Sequence, residues 1–277
     1  MNPIAAKWNR RVDAVDSLLC VGLDPVLEKL PTEFRAAEHP FFAFNRWVID
    51  QTAEHVAAYK PNVAFYEARG IAGYAELKLT AEYLRERYPE IVTICDAKRG
   101  DIGSTNQGYV TAIFDEMGFD SVTLHPYMGA EALAPFLERQ DKACIILCRT
   151  SNVGSGEFQD LQCEGQPLWM TVAEHVANEW DTDGNCMLVV GATYPEEMRR
   201  IRAVAPQTTF LVPGVGAQGG DVNAVVGAGM INDGRGLIIS SSREIIYASD
   251  PATAASKVKD SIRLARDAAR EAAHASH

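Results

Sequence analysis

The chain has 277 residues, 47% of them hydrophobic, with a formal net charge of −11. That composition supplies a sizeable core, and the length suits one large α/β barrel or two small domains. The acidic balance argues against nucleic acid or an anionic membrane as the main partner, so an anionic ligand has to be met by locally concentrated Lys and Arg.

The first fifteen residues include Lys7, Arg10, Arg11 and Asp13, which interrupt any signal-peptide-like apolar stretch. Residues 1–15 are therefore read as a peripheral tail. Eight short apolar runs follow: Leu18–Gly22, Ala57–Tyr59, Ile91–Cys95, Ser121–Leu124, Ala143–Cys148, Met187–Val190, Thr209–Val212 and Leu237–Ile239. Most are continuous rather than alternating, as in parallel strands covered on both faces. Helical spacing runs from Thr105 to Met117. Pro195-Glu196-Glu197 opens another helix with acids in its first turn, and Met198, Ile201 and Val204 face inward from it. Asp250-Pro251 reads as an N-cap with Pro at the first helical position, after which Val258, Ile262 and Ala265 keep one apolar face.

Eight βα units without a linker predict an α/β fold of the (β/α)8 (TIM) barrel type, a single domain over residues 1–277, rather than a doubly wound sheet. Residues from about 272 to 277 are read as a second peripheral tail. The longest irregular stretches are 25–42 and 152–166, the latter rich in Asn, Gly and Ser and read as a mobile lid over the barrel mouth. No uncharged apolar run is long enough to cross a bilayer. The six cysteines form no CxxC pair, and Cys144 and Cys148 lack His or Cys neighbours for a zinc site. Reduced, cytoplasmic thiols are expected.

Charge gathers where the strands end, which in such a barrel is the catalytic face. The first strand delivers Asp24, the second Lys60, and the third Asp96 and Lys98, with Asp101 in the loop that follows. Any one of these alone reads best as a rim salt bridge. Five at successive strand ends read as a site. The fifth strand ends in Thr150-Ser151-Asn152, offering hydroxyls and an amide. The seventh runs into Pro213-Gly214-Val215-Gly216-Ala217-Gln218-Gly219-Gly220. Its GxGxxG pattern fails as a dinucleotide fingerprint, because no strand-ending acid follows about 20 residues later. A Gly-rich loop at this place in a barrel cradles a phosphate with backbone N–H groups. The eighth strand adds Ser240-Ser241-Ser242-Arg243, with a guanidinium suited to bidentate phosphate binding. Gln218 is placed for its amide to reach a ligand, whereas His125, with no partner nearby in sequence, reads as a packed structural histidine.

The segment Asp96-Ala97-Lys98-Arg99-Gly100-Asp101-Ile102-Gly103-Ser104-Thr105 closely resembles the signature of orotidine 5′-phosphate decarboxylases. Tyr59-Lys60-Pro61-Asn62, Thr150-Ser151-Asn152 and the loop from Pro213 to Gly220 resemble the same family's other motifs in the same order. The resemblance spans Gly22 to Arg243, and the long first loop is similar to that of the longer bacterial group. It implies conversion of orotidine 5′-monophosphate to UMP and carbon dioxide in pyrimidine biosynthesis, with no metal and no cofactor. By motif, Asp24 would bind ribose hydroxyls and Lys60 would bridge ribose and the charged network. Asp96 would lie against the substrate carboxylate, and Lys98 would protonate C6. Asp101, with Ile102 and Thr105, would serve the neighbouring subunit of a homodimer. Ser151 would contact the pyrimidine, while Pro213, Gln218, Ser242 and Arg243 would line the phosphate end. Ser242 departs from the Gly that many relatives carry before that Arg, although its backbone N–H can still serve.

Two alternatives remain open at this level. Magnesium-dependent keto-sugar phosphate decarboxylases and aldolases share the Asp-x-Lys-x-x-Asp pattern, but they carry an acid at the second strand where this chain has Lys60, which would repel a divalent cation. A non-catalytic phosphate-binding barrel would need only the Gly-rich loop and Arg243, leaving Asp96, Lys98 and Asp101 unexplained.

Overall fold

The computed structural model describes residues 2–215 and 220–275. Eight parallel strands form a closed barrel: β1 (Leu19–Gly22), β2 (Ala58–Lys60), β3 (Val92–Arg99), β4 (Ser121–Leu124), β5 (Ala143–Arg149), β6 (Cys186–Val190), β7 (Phe210–Pro213) and β8 (Leu237–Ser241). They pair in chain order, and β8 returns to β1 with Leu19 opposite Ile239. Every apolar run seen in the sequence is one of these strands. Their side chains are buried on both faces, against the barrel interior and against the surrounding helices.

Several strands run further than their apolar stretches, and in two of them the pairing also shifts register. β3 continues through Asp96 and Lys98 to Arg99, and its pairing with β4 shifts register between Cys95 and Arg99. β5 continues to Arg149, with a shift against β6 between Leu147 and Arg149. Such irregularities re-aim side chains at a barrel rim, and both lie at the end that carries the charged residues.

The helices follow the expected capping logic. Asp250 caps the helix Pro251–Ala275, accepting from the Thr253 N–H at 3.0 Å, and Ile262 and Ala265 are buried beneath it. Helical backbone thus runs through most of the stretch read as a C-terminal tail. The helix Pro195–Val204 buries Met198 and Ile201, with Glu196 and Glu197 in its first turn. The stretch from Thr105 is α-helical over Gly103–Val110 and widens to a π-helix over Thr111–Glu116.

The N-terminal segment corrects the sequence reading. Residues 1–15 contain the helix α1 (Pro3–Val15), with Ile4, Trp8 and Val12 buried. Asn2 caps it, its Oδ1 accepting from the Ile4 N–H at 2.8 Å, while its amide nitrogen donates to Gln140 O at 2.8 Å and Lys142 O at 3.0 Å, just before β5. Lys7 pairs with Asp120 at 2.7 Å, just before β4. The helix therefore closes the barrel floor, opposite the charged rim. Three apolar residues spaced by four are a complete buried stripe, but the intervening charges mask it when the segment is scanned for apolar runs. Stretch 25–42 also holds structure, with a turn at Leu27–Lys29 and a short helix at Thr32–Arg35 whose Phe34 packs on Phe44 and Trp47.

Trp8→Ala is expected to lower unfolding free energy by about 3–5 kcal/mol, as for other buried aromatic truncations, while leaving the kinetics of the folded fraction unchanged. Denaturant melts check this, and a loss below about 1 kcal/mol would show that α1 is dispensable.

Candidate active site

The strand ends converge on a cavity of about 510 Å³, within the usual range for a small-molecule site. At its centre lies Asp96, buried and held on both oxygens. Lys60 Nζ, from the end of β2, sits 2.9 Å from Oδ2, and Lys98 Nζ sits 2.6 Å from Oδ1. Thr123, in β4, donates from Oγ1 to Asp96 Oδ1 at 2.9 Å and accepts from the Lys98 backbone N–H, also at 2.9 Å. Lys60 is buried, whereas 48% of the Lys98 side chain remains exposed. The network thus has a shielded cation on one side and an accessible cation on the other.

Local backbone geometry builds this arrangement. Asp96 and Lys98 are two residues apart, so strand alternation points both toward the cavity. Lys98 has φ of +48°, a left-handed conformation that costs a side-chain-bearing residue about 1–3 kcal/mol. The Thr123 hydroxyl bond fixes the peptide N–H of that strained residue and lets the ammonium turn back onto Asp96.

The electrostatics follow from burial and pairing. Burial acts most strongly on the Asp96 carboxyl and pushes it up, but Lys60 and Lys98 together outweigh it and hold the group well below the usual carboxylate range. Burial likewise acts most strongly on Lys60 and pulls it down, yet Asp96 and Asp24 overturn this and hold the ammonium above its ordinary value. Both groups are ionised throughout the neutral range. Cys20 lies behind them, and burial pushes its thiol up to about 12, so it adds no charge.

Asp24 flanks this centre. Its Oδ1 accepts from the Asn62 N–H at 3.0 Å and its Oδ2 from the Ser242 hydroxyl at 2.9 Å. Arg243, Pro213, Gly214 and Val215 also line the cavity, as do Lys29 and Tyr247. Gly214 has φ of +95° and its carbonyl accepts from the Gly220 N–H at 3.2 Å, joining the two ends of the Gly-rich loop. Gln218 lies outside the described residues. Thr150, Ser151 and Asn152 line a third side. Their loop is latched by Arg149, only 2% exposed, which donates to Ser155 Oγ at 3.1 Å and stacks over the Tyr194 ring at 3.8 Å.

The structure thus brings Asp24, Lys60, Asp96, Lys98, Ser151, Pro213, Ser242 and Arg243 to one cavity. It does not bring Asp101, Ile102 or Thr105 there. Asp101 is tied through its backbone to the Asn106 side chain, Ile102 is 58% exposed, and Thr105 is exposed on the helix that follows. His125 lies outside the cavity too, its Nε2 3.0 Å from Gly100 O. Sequence reasoning missed Thr123, whose only signal was a hydroxyl in a short strand that also carries Ser121, and Lys29, which carried no pattern.

Residues 17–258 match the family described as Orotidine 5′-phosphate decarboxylase / HUMPS. The chain belongs to this family. It is 48% identical over 260 residues to an orotidine 5′-phosphate decarboxylase of Cellvibrio japonicus, covering 92% of this chain and 94% of that one. A decarboxylase of the same name from Christiangramia forsetii is 50% identical over 234 residues, 84% of this chain and 85% of its own. Among solved structures, the Leishmania donovani OMP decarboxylase superposes with a TM-score of 0.85 at 39% identity, covering 95% of this chain and 99% of that one. The family's description joins decarboxylases to a second group, HUMPS, so the choice of chemistry rests on these relatives and on the cavity. Lys60 places an ammonium 2.9 Å from Asp96 at the second strand end.

Asp96→Asn is expected to cost about 3–5 kcal/mol of stability at neutral pH, because it leaves the buried Lys60 without its hydrogen-bonded counter-charge. The contribution of a carboxylate with a lowered folded-state pKa is complete above its unfolded value of about 3.9 and is lost as pH falls toward the folded value. The gap between wild type and variant, read from denaturant melts, should therefore shrink in acid. A gap that is absent at neutral pH, or that widens in acid, would contradict the network.

Proposed function

We propose that the protein is a carboxy-lyase that converts orotidine 5′-monophosphate to UMP and carbon dioxide in pyrimidine biosynthesis, in the cytoplasm, and that Asp96 and Lys98 perform the chemistry. The observation that carries this is one ionised, buried carboxylate facing the cavity beside an ammonium that is itself open to it. With the substrate carboxylate set against Asp96, two like charges meet in a site that holds both ionised. Departure of carbon dioxide relieves that repulsion, a form of ground-state destabilisation. The electron pair of the broken bond stays on C6, where Lys98 stabilises it and then supplies the proton, leaving an amine that solvent reprotonates. Lys60 keeps Asp96 ionised and in place. No step needs an electron sink beyond the ammonium.

The acceleration required for such a slow reaction lies near the upper end of the enzymatic range, on the order of 23 kcal/mol. No single pair of charges supplies it. Binding energy from the remote parts of the substrate contributes the rest: Arg243 and the Gly-rich loop, with Gln218 and the Ser242 backbone, at the phosphate, Asp24 at the ribose, and Ser151 at the base, with Pro213 lining the cavity beside the phosphate end.

The protein works as a homodimer in this reading, with Asp101, Ile102 and Thr105 crossing into the neighbour's cavity. Their position outside the chain's own cavity and the exposure of Ile102 support this. The shared site completes an alternating series of Lys60, Asp96, Lys98 and the neighbour's Asp101.

Loss of the orotate chromophore in the presence of a chelator tests the activity: turnover should persist, and a folded protein without turnover would overturn the assignment. Arg243→Ala should lower kcat/KM by about 10–100-fold, the worth of a charge-assisted contact to phosphate, despite its distance from the chemistry. Near-normal efficiency would remove the phosphate assignment. Lys98→Ala and Asp101→Ala are each expected to be nearly inactive. Mixed under subunit exchange, they should recover up to about a quarter of wild-type activity, since random pairing leaves one intact site in half of the dimers. No recovery despite verified exchange would place Asp101 outside the site.

A further inference from the structure

The ends of β8 and β1 meet through a side chain with no role so far beyond its backbone. Ser242 Oγ lies 2.9 Å from Asp24 Oδ2 and 3.0 Å from the Gly22 carbonyl. A hydroxyl has one proton, and the ionised acceptor makes the stronger bond, so the carboxylate holds that proton in preference to the carbonyl. The close approach needs glycine at position 22, where a Cβ would lie 2.8 Å from Ser242 Cβ and 3.0 Å from Asp24 Oδ2. Asp24 is thereby gripped at both oxygens, by the Asn62 N–H from the β2 side and by Ser242 from the β8 side. Each oxygen keeps a lone pair free for the cavity that Asp24 lines.

We propose that the Ser242 hydroxyl is a positioning residue that fixes the Asp24 carboxylate for recognition of the ribose hydroxyls of the nucleotide. The inference rests on the reading of Asp24 as the ribose-binding group. A carboxylate free to rotate would lose torsional freedom on binding, whereas one already held loses little, and the difference appears as affinity and selectivity. Because Ser242 precedes Arg243, one turn then carries both a phosphate-binding guanidinium and the brace for the ribose-binding carboxylate. Each end of the ligand is recognised on an element tied to the other.

The test compares UMP with its 2′-deoxy and 3′-deoxy analogues by titration calorimetry on wild type, Ser242→Ala and Asp24→Asn. Ser242→Ala keeps the Cβ contact and removes only the hydroxyl. It should weaken UMP by about 5–10-fold, yet weaken the analogue lacking the hydroxyl that Asp24 contacts by less than about twofold, narrowing the selectivity ratio. A purely structural brace would weaken all three ligands equally. That result, or no change at all, would overturn the proposal. Asp24→Asn should narrow the ratio further. If it leaves the ratio unchanged, the reading of Asp24 fails and the proposal falls with it. If it narrows the ratio while Ser242→Ala does not, the positioning role alone fails. Should Ser242→Ala not fold, Ser242→Gly removes the same hydroxyl and is read the same way.

Discussion

An ionised carboxylate buried between two ammonium groups is stable only while both remain in place, and much of the catalytic face is organised by that constraint. Desolvating Asp96 alone would be prohibitive. Lys60 and Lys98 make it affordable, and each must come from a defined strand end at a defined height. The barrel supplies that definition, because neighbouring parallel strands fix the offsets between β2 and β3 and between β3 and β4. Thr123 completes the arrangement by bonding both the carboxylate and the strained peptide that bears Lys98. A left-handed backbone at a lysine persists because the paired residues on either side of the register shift, a hydroxyl and an ion pair all determine it at once.

The same constraint divides the two lysines. Lys60 is shut away, so its proton stays put and its charge acts as a fixed part of the scaffold. Lys98 reaches the same carboxylate from the open side of the cavity. Two chemically identical side chains, 2.9 and 2.6 Å from one aspartate, thereby take different tasks: one sustains the charge of Asp96, and the other can approach a ligand.

Much of this was legible in the sequence because strands of a parallel barrel are apolar throughout and end abruptly in polar residues. The eight runs located the strands, and their terminal charges located the cavity. What escaped notice depended on contacts between distant segments. The stripe Ile4, Trp8 and Val12 has meaning only once a barrel floor exists to receive it. Thr123 looks like an ordinary strand residue until β3 shifts register beside it. The grip of Ser242 on Asp24 joins positions 218 residues apart, and no local pattern announces such a contact. Stretch 152–166, by contrast, drew attention through its Asn, Gly and Ser content, yet its seat depends on Arg149, a residue that looks in sequence like one more charge at a strand end.

The chain is strongly acidic, with a net charge of −11, so attraction of an anionic ligand cannot rest on the overall field. The cavity reverses that balance locally, its described lining carrying one more cation than carboxylates. Lys29, Lys60, Lys98 and Arg243 line it together with Asp24, Asp96 and Glu244. Opposite charges so interleaved nearly cancel at long range but leave steep differences of potential within a few ångströms, where low-dielectric walls screen little. In the proposed reaction a ligand with two anionic groups meets cations within the cavity, but only one that brings its second anionic group against Asp96 is destabilised there. On the proposed reading, binding and repulsion act on different atoms of the same molecule, and the separation of Arg243 from Asp96 decides which molecules experience both.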